Sequence, residues 1–220
     1  MLKTNNPNII FIHANGFPPD SYVPLFKKLK EDYNIEDYLL RPLWKDKTDC
    51  SMLKDWTLFY NDFKNSINVQ KKYIGIGHSI GGNIILKTAI SNPEYFSKII
   101  LLDPTLFVPK IIYMWKIALL LGMQKKFHPW INSTLRRKMN YDNYEKIFES
   151  YRSKKVFSKI SNTNLKIYIN SITKQLNGGI SITYPKNWEY KIYKTGLIAD
   201  MYIWKNIKLS IYDFLSKIEN

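Results

Sequence analysis

The sequence predicts an α/β fold, in which a mostly parallel sheet with flanking helices is followed by an inserted helical cap. Strand-like and helix-like segments alternate through the first hundred residues, which is the pattern of βαβ units. The strand-like segments are short and apolar, as expected of strands that are covered on both faces. After Pro109 the pattern changes to mostly helix-like segments.

The first βαβ unit begins at residue 8. Asn8 to His13 reads NIIFIH, a β-branched and aromatic run that predicts a buried strand. Pro18 marks a turn, and apolar residues at helical spacing follow from Tyr22 to Leu29. Ile35 to Leu40 is a second, weaker strand, which Pro42 closes.

A second helix and two further strands extend the predicted sheet. Apolar residues from Met52 to Ile67 recur at helical spacing and predict a long amphipathic helix. Tyr73 to Ile76 is the third predicted strand, and the helix that begins at Ile80 should end near Pro93. Ile99 to Leu102 is the fourth strand.

These patterns divide the chain into three parts. Residues 1–108 form the N-terminal part of the core, residues 109–195 form the helical cap, and residues 196–220 return to the core. Ile207 to Tyr212, in the last part, has the composition of a strand.

The charge raises the question of a nucleic-acid partner. Thirty-three Lys and Arg against 18 Asp and Glu give a net charge of +15. The lysines are scattered, however, and no nucleic-acid-binding motif accompanies them, so we expect no such partner. Attraction to acidic lipids or acidic substrates stays open.

Membrane insertion, disulfides and cofactors are not expected either. The longest apolar stretch, Ile111 to Met123, is interrupted by Lys116 and is shorter than the roughly 20 residues that span a bilayer. The single cysteine, Cys50, excludes an internal disulfide. Without a visible targeting segment we expect a cytoplasmic protein, and no motif indicates a metal or a cofactor.

The stretch Gly77-His78-Ser79-Ile80-Gly81 matches the pattern G-x-S-x-G and lies between a predicted strand and a predicted helix. A serine on such a tight turn sits in strained backbone, which requires small neighbours. The turn also aims Ser79 at the helix N-terminus, where free N–H groups such as that of Ile80 stabilise negative charge. We therefore interpret Ser79 as a nucleophile rather than as part of a phosphate-binding turn.

Three segments together resemble the α/β-hydrolase superfamily. HANGFPP (residues 13–19) follows the first strand, GHSIGG follows the third, and LLDPTLF contains the end of the fourth. The resemblance is to a bacterial branch with the same HANGFPP opening, and it continues through RRK, YEKIFESYRSKKVF and WEYKIY in the predicted cap. It implies a substrate pocket between the sheet and the cap. It also implies that Ser79 is the nucleophile and that Asn15 and Ile80 donate oxyanion N–H groups.

The general base is harder to place. In this superfamily the nucleophile is followed along the chain by an acid and then by a histidine. The sequence has three histidines, none near the C-terminus. We interpret His13 as a structural residue of the oxyanion loop, and we expect the side chain of His78 to point away from Ser79. The base is therefore His128, in the predicted cap, or it is absent.

Two aspartates are candidates for the acid. Asp103 is the leading one, because some members of the family supply their acid after the corresponding strand. Asp213 is weaker. Because the family normally continues through a further strand, a histidine and a closing helix, we expect truncated last strands. An uncovered sheet edge would then favour self-association.

The sequence thus leads to a main functional hypothesis and an alternative. The main one is a serine hydrolase that acts on an ester, thioester or similar small acyl substrate through a Ser79 acyl-enzyme. The alternative is a C-terminally truncated, catalytically impaired relative that acts as a binding module or is a relic. A basic nucleic-acid or membrane-surface binder ranks last.

Overall fold

A computed structural model describes residues 6–46, 49–123, 126, 128–176, 178–196 and 203. Its central sheet has the strand order β2-β1-β3-β4, and all three strand pairs are parallel. The strands are β1 (Asn8–Ile12), β2 (Asn34–Tyr38), β3 (Tyr73–His78) and β4 (Phe96–Leu102). The predicted parallel sheet is therefore confirmed. The predicted strand from Ile207 to Tyr212, and Asp213, lie outside the described residues.

Helices separate these strands, as the alternating pattern predicted. They are α1 (Val23–Leu29), α2 (Thr57–Ser66) and α3 (Ile80–Ser91). The helix predicted from Met52 begins later than expected. Asp49 caps a short 3-10 turn by accepting the Ser51 N–H, so the α-helix starts only at Thr57.

Strand β1 is covered on both faces, as its continuous apolar run predicted. Ile9 and Phe11 point to one side of the sheet and pack with Phe26 of α1. Ile10 and Ile12 point to the other side and join the larger core that α2 and α3 complete. This sandwiched position explains why β1 has no alternation of polar and apolar residues.

We call residues 109–196 the upper segment. It contains α4 (Pro109–Leu120), α5 (Pro129–Arg136), α6 (Tyr144–Arg152), α7 (Asn162–Ile172) and the helical residues 186–196, named α8. It also contains an antiparallel sheet of order β5-β7-β6, made of β5 (Asn140–Tyr141), β6 (Thr173–Leu176) and β7 (Gly179–Ile182).

The prediction of an inserted layer of helices alone was therefore incomplete. Strands β6 and β7 are joined by a tight turn in which Gly178 has φ 91°, a conformation that glycine adopts without steric cost. The Asn-Gly-Gly signal at residues 177–179 was a hairpin signal between two strands too short to show a clear alternation. That residues 109–195 form a separate cap domain stays a prediction.

Helix α8 ties the upper segment to the core. Trp188 and Ile192 belong to the same buried cluster as Trp56 and Phe59. The Trp56 indole N–H donates to the Ile192 carbonyl oxygen at 3.1 Å, which satisfies a polar group inside this contact. The upper segment thus rests on the core through apolar packing that a buried hydrogen bond orients.

The edges of the described sheet are β2 and β4. Ile100 and Leu102 of β4 are partly exposed. Self-association through an edge stays a prediction. Among the described residues, no helix is long and apolar enough to cross a membrane.

An ion pair fixes the end of β2 against α2. The Arg41 guanidinium donates to both oxygens of the Asp62 carboxylate, at 2.5 and 2.7 Å, and both side chains are largely buried. By contrast, Lys71 and Glu36 form a pair at 2.5 Å in which both side chains are 40% exposed. Loss of Asp62 should lower the stability of the fold more than loss of Glu36, because it leaves the Arg41 charge unpaired where water has little access.

We expect Asp62→Asn to lower the free energy of unfolding by about 2–4 kcal/mol, because Arg41 then keeps its charge without a carboxylate. Glu36→Gln, the matched control, should cost less than about 1 kcal/mol, because water screens that pair. Urea denaturation of the purified variants measures both values. Equal losses would contradict the distinction between the two pairs.

Candidate active site

Ser79 occupies the turn between β3 and α3 in a strained backbone conformation. Its φ of 54° and ψ of −116° lie in a region that non-glycine residues seldom adopt. Three backbone hydrogen bonds hold it there: its N–H donates to the Leu102 carbonyl oxygen at 3.0 Å, and its carbonyl oxygen accepts the N–H groups of Thr105 at 3.1 Å and Asn83 at 3.2 Å. The strand–serine–helix arrangement that the sequence predicted is present.

The glycines on either side of Ser79 are required by packing. A Cβ atom on Gly77 would overlap the backbone of Gly81, and one on Gly81 would overlap the Ile12 carbonyl group. Helix α3 therefore approaches β1 and β3 more closely than any side chain would permit. This explains in steric terms why the G-x-S-x-G spacing occurs here.

The Ser79 hydroxyl has a partner that sequence analysis missed. Its Oγ lies 2.9 Å from the Thr105 Oγ1, and either atom can be the donor. Thr105 stands in LLDPTLF, directly after the Asp103-Pro104 turn, so a hydroxyl following β4 was the available signal. Among the described residues, no hydrogen bond joins Ser79 to an imidazole.

The loop that carries Asn15 is held by the upper segment. The Asn15 amide donates to the Glu189 carbonyl oxygen at 3.2 Å and accepts the Tyr184 hydroxyl at 3.1 Å. Tyr168 donates its hydroxyl to the Gly16 carbonyl oxygen at 3.2 Å. Both ends of the Asn15 side-chain amide are thus engaged in hydrogen bonds to the upper segment. Only the backbone N–H of Asn15 could therefore bind an oxyanion.

That backbone N–H is available. The Asn15 N–H has no acceptor among the described residues, and Ile80 is the first residue of α3, where N–H groups lack intrahelical partners. Asn15, Ile80 and Ser79 all line one cavity. Acyl-transfer chemistry requires N–H donors close to the attacking hydroxyl, and these three residues are the candidates for that arrangement.

Glu189 is a second residue that sequence analysis missed. Its buried carboxylate pairs with Arg137 and accepts the Thr134 hydroxyl at 3.3 Å. The Arg137 guanidinium also donates to the Tyr184 carbonyl oxygen at 3.2 Å. Glu189 is the sole acidic residue between Glu149 and Asp200. Its isolation in a basic stretch was the feature of the sequence that could have indicated a buried ion pair.

His13 fits a structural role. It is fully buried, its Nε2 accepts the Leu40 N–H at 3.1 Å, and its Nδ1 donates to the Ala14 carbonyl oxygen at 2.8 Å. Burial lowers the pKa of His13 to about 4, so the ring is neutral at pH 7.

His78 contacts the loop rather than Ser79. Its Nδ1 is hydrogen-bonded to the Tyr22 hydroxyl at 2.7 Å, and that hydroxyl also accepts the Ala14 N–H at 3.2 Å. Burial lowers the pKa of His78, and the nearby Asp103 opposes that shift. Its Nδ1 is therefore engaged by Tyr22, which itself binds the loop at Ala14.

His128 and Asp103 both line the cavity that contains Ser79. The His128 ring lies 5.8 Å from the ring of Trp115 and 5.5 Å from that of Tyr193, measured between centroids. Its Nδ1 is buried and has no hydrogen-bond partner in the part of the chain that the structure describes, and burial lowers the pKa of His128. Asp103 is exposed and has a φ of 41°. Neither is hydrogen-bonded to Ser79 among the described residues.

The cavity has a volume of about 910 Å³ and lies between the core and the upper segment. Apolar side chains such as Phe107, Trp130 and Phe157 form much of its wall. Its charged lining is four basic and two acidic side chains, Arg136, Arg137, Lys138 and Lys154 against Asp103 and Glu189. No group of side chains among the described residues could hold a metal ion.

Comparison with known proteins points to hydrolases. The profile of the family described as serine aminopeptidase, S33, matches residues 47–174, more than half of the chain. A type I acyl-CoA thioesterase of Penicillium brevicompactum is 32% identical over 114 residues. That alignment covers 43% of this chain and 25% of the relative, so this chain matches only about a quarter of the length of that protein.

Solved structures show the same fold at low sequence identity. The thioesterase domain from the curacin biosynthetic pathway has a TM-score of 0.61 at 14% identity, covering 92% of this chain and 71% of its own. The peroxisomal α/β-hydrolase Lpx1 of Saccharomyces cerevisiae has a TM-score of 0.63 at 13% identity, covering 94% of this chain and 60% of its own. Both support the α/β-hydrolase fold.

We expect Gly81→Ala to lower the free energy of unfolding by about 3 kcal/mol or more, because the added methyl group overlaps the β1 backbone. Gly122→Ala is the control. Gly122 has a φ of 68°, but nothing lies within 4 Å of the added carbon. Its substitution should therefore lower the free energy of unfolding only by the backbone strain of alanine at this φ, about 1–2 kcal/mol. Chemical denaturation compares the two, and a smaller cost at Gly81 would contradict the close approach of α3.

His13 predicts a pH dependence of stability. Its folded pKa of about 4 lies below the ordinary value of 6.5, so between these pH values the unfolded chain binds the extra proton. The free energy of unfolding should therefore be unaffected by the titration of His13 above pH 6.5. It should fall by about 3 kcal/mol as the pH is lowered from 6.5 toward 4, because the unfolded chain gains a proton that the buried ring does not accept. His13→Gln should remove this part of the slope. Denaturation midpoints of both proteins across this range measure it, and identical slopes would contradict the assignment.

Proposed function

Because the chain belongs to the serine aminopeptidase S33 family, whose members have the α/β-hydrolase fold, we propose that it hydrolyses an ester, thioester or similar acyl compound through an acyl-enzyme on Ser79. The single observation that carries the proposal is the backbone of Ser79, strained at the start of α3 beside a large cavity. The thioesterase names of a relative and of a structural neighbour support an acyl substrate.

In the proposed reaction the Ser79 Oγ attacks the carbonyl carbon of the bound substrate, and the carbonyl oxygen becomes negatively charged. The N–H groups of Asn15 and Ile80 stabilise that oxygen. Collapse of the intermediate releases the alcohol or thiol, and attack by water on the acyl-enzyme releases the acid and restores Ser79. The bonds from Tyr168 and Tyr184 keep the loop in place before the charge develops.

The proposed base is His128. A serine hydroxyl is a weak nucleophile unless a neighbouring group accepts its proton. His128 lines the cavity, its Nδ1 has no partner, and its lowered pKa keeps the imidazole neutral and able to accept a proton at pH 7. Catalytic contacts are commonly longer without substrate, so Ser79 and His128 would be brought together on binding. Asp103 is the proposed acid from the same cavity.

The wall of the cavity suggests the kind of acyl group. Phe107, Trp130 and Phe157 offer apolar and aromatic surface. Its charged side chains are mainly basic, and the one buried acid, Glu189, is already paired with Arg137. An acyl chain of mainly apolar character fits this wall.

A second candidate function is a binding module without efficient turnover. It is favoured by the Ser79 hydroxyl, whose hydrogen-bond partner is Thr105 rather than an imidazole. Such a protein would keep the cavity and the two N–H donors but would lack an activated serine. Loss of the base alone costs an acyl-transfer enzyme about four or more orders of magnitude in rate.

A fluorophosphonate probe separates these functions, because it reacts with an activated serine. We expect rapid labelling of the wild type, none of Ser79→Ala, and unchanged labelling of Ser133→Ala, a matched control in the cavity wall. His128→Ala should be labelled at least about a thousandfold more slowly. Intact-protein mass spectrometry measures the rates.

Absence of labelling in the folded wild type would rule out the hydrolase and favour the binding module. Labelling that is lost in Ser79→Ala but unchanged in His128→Ala would keep the hydrolase and exclude His128 as its base.

A further inference from the structure

Helix α4 is apolar on both of its sides. Ile112, Trp115 and Ala118 are buried against the rest of the upper segment. The opposite side is the α4 face, which we define as Tyr113, Met114, Ile117, Leu120 and Leu121, with side chains 48–86% exposed. An exposed face with five large apolar side chains on a helix whose other face is already buried indicates a partner.

The apolar surface continues beyond α4. Val108 and Ile111 extend it toward the start of the helix, and Trp130 and Leu135 of α5 are also exposed. Ile131 of α5 packs against Trp115 and Ala118, and Trp130 of the same helix lines the cavity as well. The helix that packs under α4 therefore also contributes to the cavity wall.

The stretch of chain that contains α4 and α5 carries charges of a single sign. Residues 104–141 contain seven Lys and Arg and no Asp or Glu. Five of the seven are described as exposed, Lys110, Lys116, Lys126, Arg136 and Lys138. No salt bridge to any of these five is formed by the described residues. The partner must therefore accept both aliphatic side chains and uncompensated positive charge.

We propose that the α4 face docks on the surface of an anionic lipid bilayer. Aliphatic side chains of the α4 face enter the boundary between headgroups and acyl chains, while the lysines and Arg136 contact lipid phosphates. A second copy of the chain fits less well, because it would bring two positively charged surfaces together. The proposal concerns binding alone and does not depend on hydrolysis at Ser79.

Docking in this way would turn the cavity wall at Trp130 toward the lipid. A substrate with an apolar acyl chain could then pass between bilayer and cavity without crossing water. Only this consequence rests on the function proposed above.

Sedimentation with lipid vesicles tests the proposal. We expect the wild type to bind vesicles of phosphatidylcholine mixed with phosphatidylglycerol, to bind pure phosphatidylcholine weakly, and to lose affinity in high salt. Ile117→Asn combined with Leu120→Asn should lower the partition coefficient at least about tenfold, because two exposed aliphatic side chains no longer enter the bilayer. Lys110→Gln with Lys116→Gln should weaken binding to the anionic vesicles specifically.

The matched control is Val69→Asn combined with Leu176→Asn, which removes two aliphatic side chains that are 60% and 45% exposed on other elements. Its vesicle binding should equal that of the wild type. Thermal melting of each variant, followed by circular dichroism, shows that it is folded.

Four outcomes would overturn the proposal. The first is no binding to either vesicle, and the second is equal binding by the Ile117/Leu120 variant and the wild type, which would assign binding to scattered charge. The third is a wild-type dimer in light scattering that the Ile117/Leu120 substitutions dissociate, which would assign the α4 face to a second copy. The fourth is a strong loss of thermal stability in that variant without vesicle binding, which would assign the face to a contact within the chain.

Discussion

The close approach of α3 to β1 and β3 is the constraint on which the candidate site depends. Gly77 and Gly81 permit it, because a Cβ at either position would overlap backbone atoms. The chain can then turn from strand to helix within one residue, and Ser79 takes the strained conformation that this turn requires. Ser79 and Ile80, at the N-terminus of α3, consequently line the cavity.

The other half of the site depends on the upper segment. Asn15 and Gly16 are held by three hydrogen bonds, from the Tyr168 and Tyr184 hydroxyls and to the Glu189 carbonyl oxygen. The Glu189 carboxylate is in turn neutralised by Arg137. The loop beside Ser79 is thus positioned by residues about 150 to 175 positions away along the chain. A change in the upper segment would move the Asn15 loop as well as the cavity wall.

Charge and apolarity have separate roles in this molecule. The net charge of +15 suggested no specific partner from composition alone, because the lysines are scattered along the chain. In the structure, the α4 face lies within a stretch of chain that has no acidic residues, and its apolar residues are exposed instead of buried. Only this combination points to a lipid surface, since neither feature alone distinguishes it from an ordinary basic protein.

The sequence by itself determined the parallel sheet, the helices between its strands and the turn at Ser79, because these depend on local pattern and on glycines with no room for a side chain. It missed the hairpin of β6 and β7, whose strands are too short to show a period. Only the tertiary structure decided that Thr105 rather than a histidine is bonded to Ser79, that His78 is held by Tyr22, and that Glu189 supports Asn15. Those contacts join residues 26, 56 and 174 positions apart, and no local pattern encodes which distant side chains the packing of helices on a sheet will bring together.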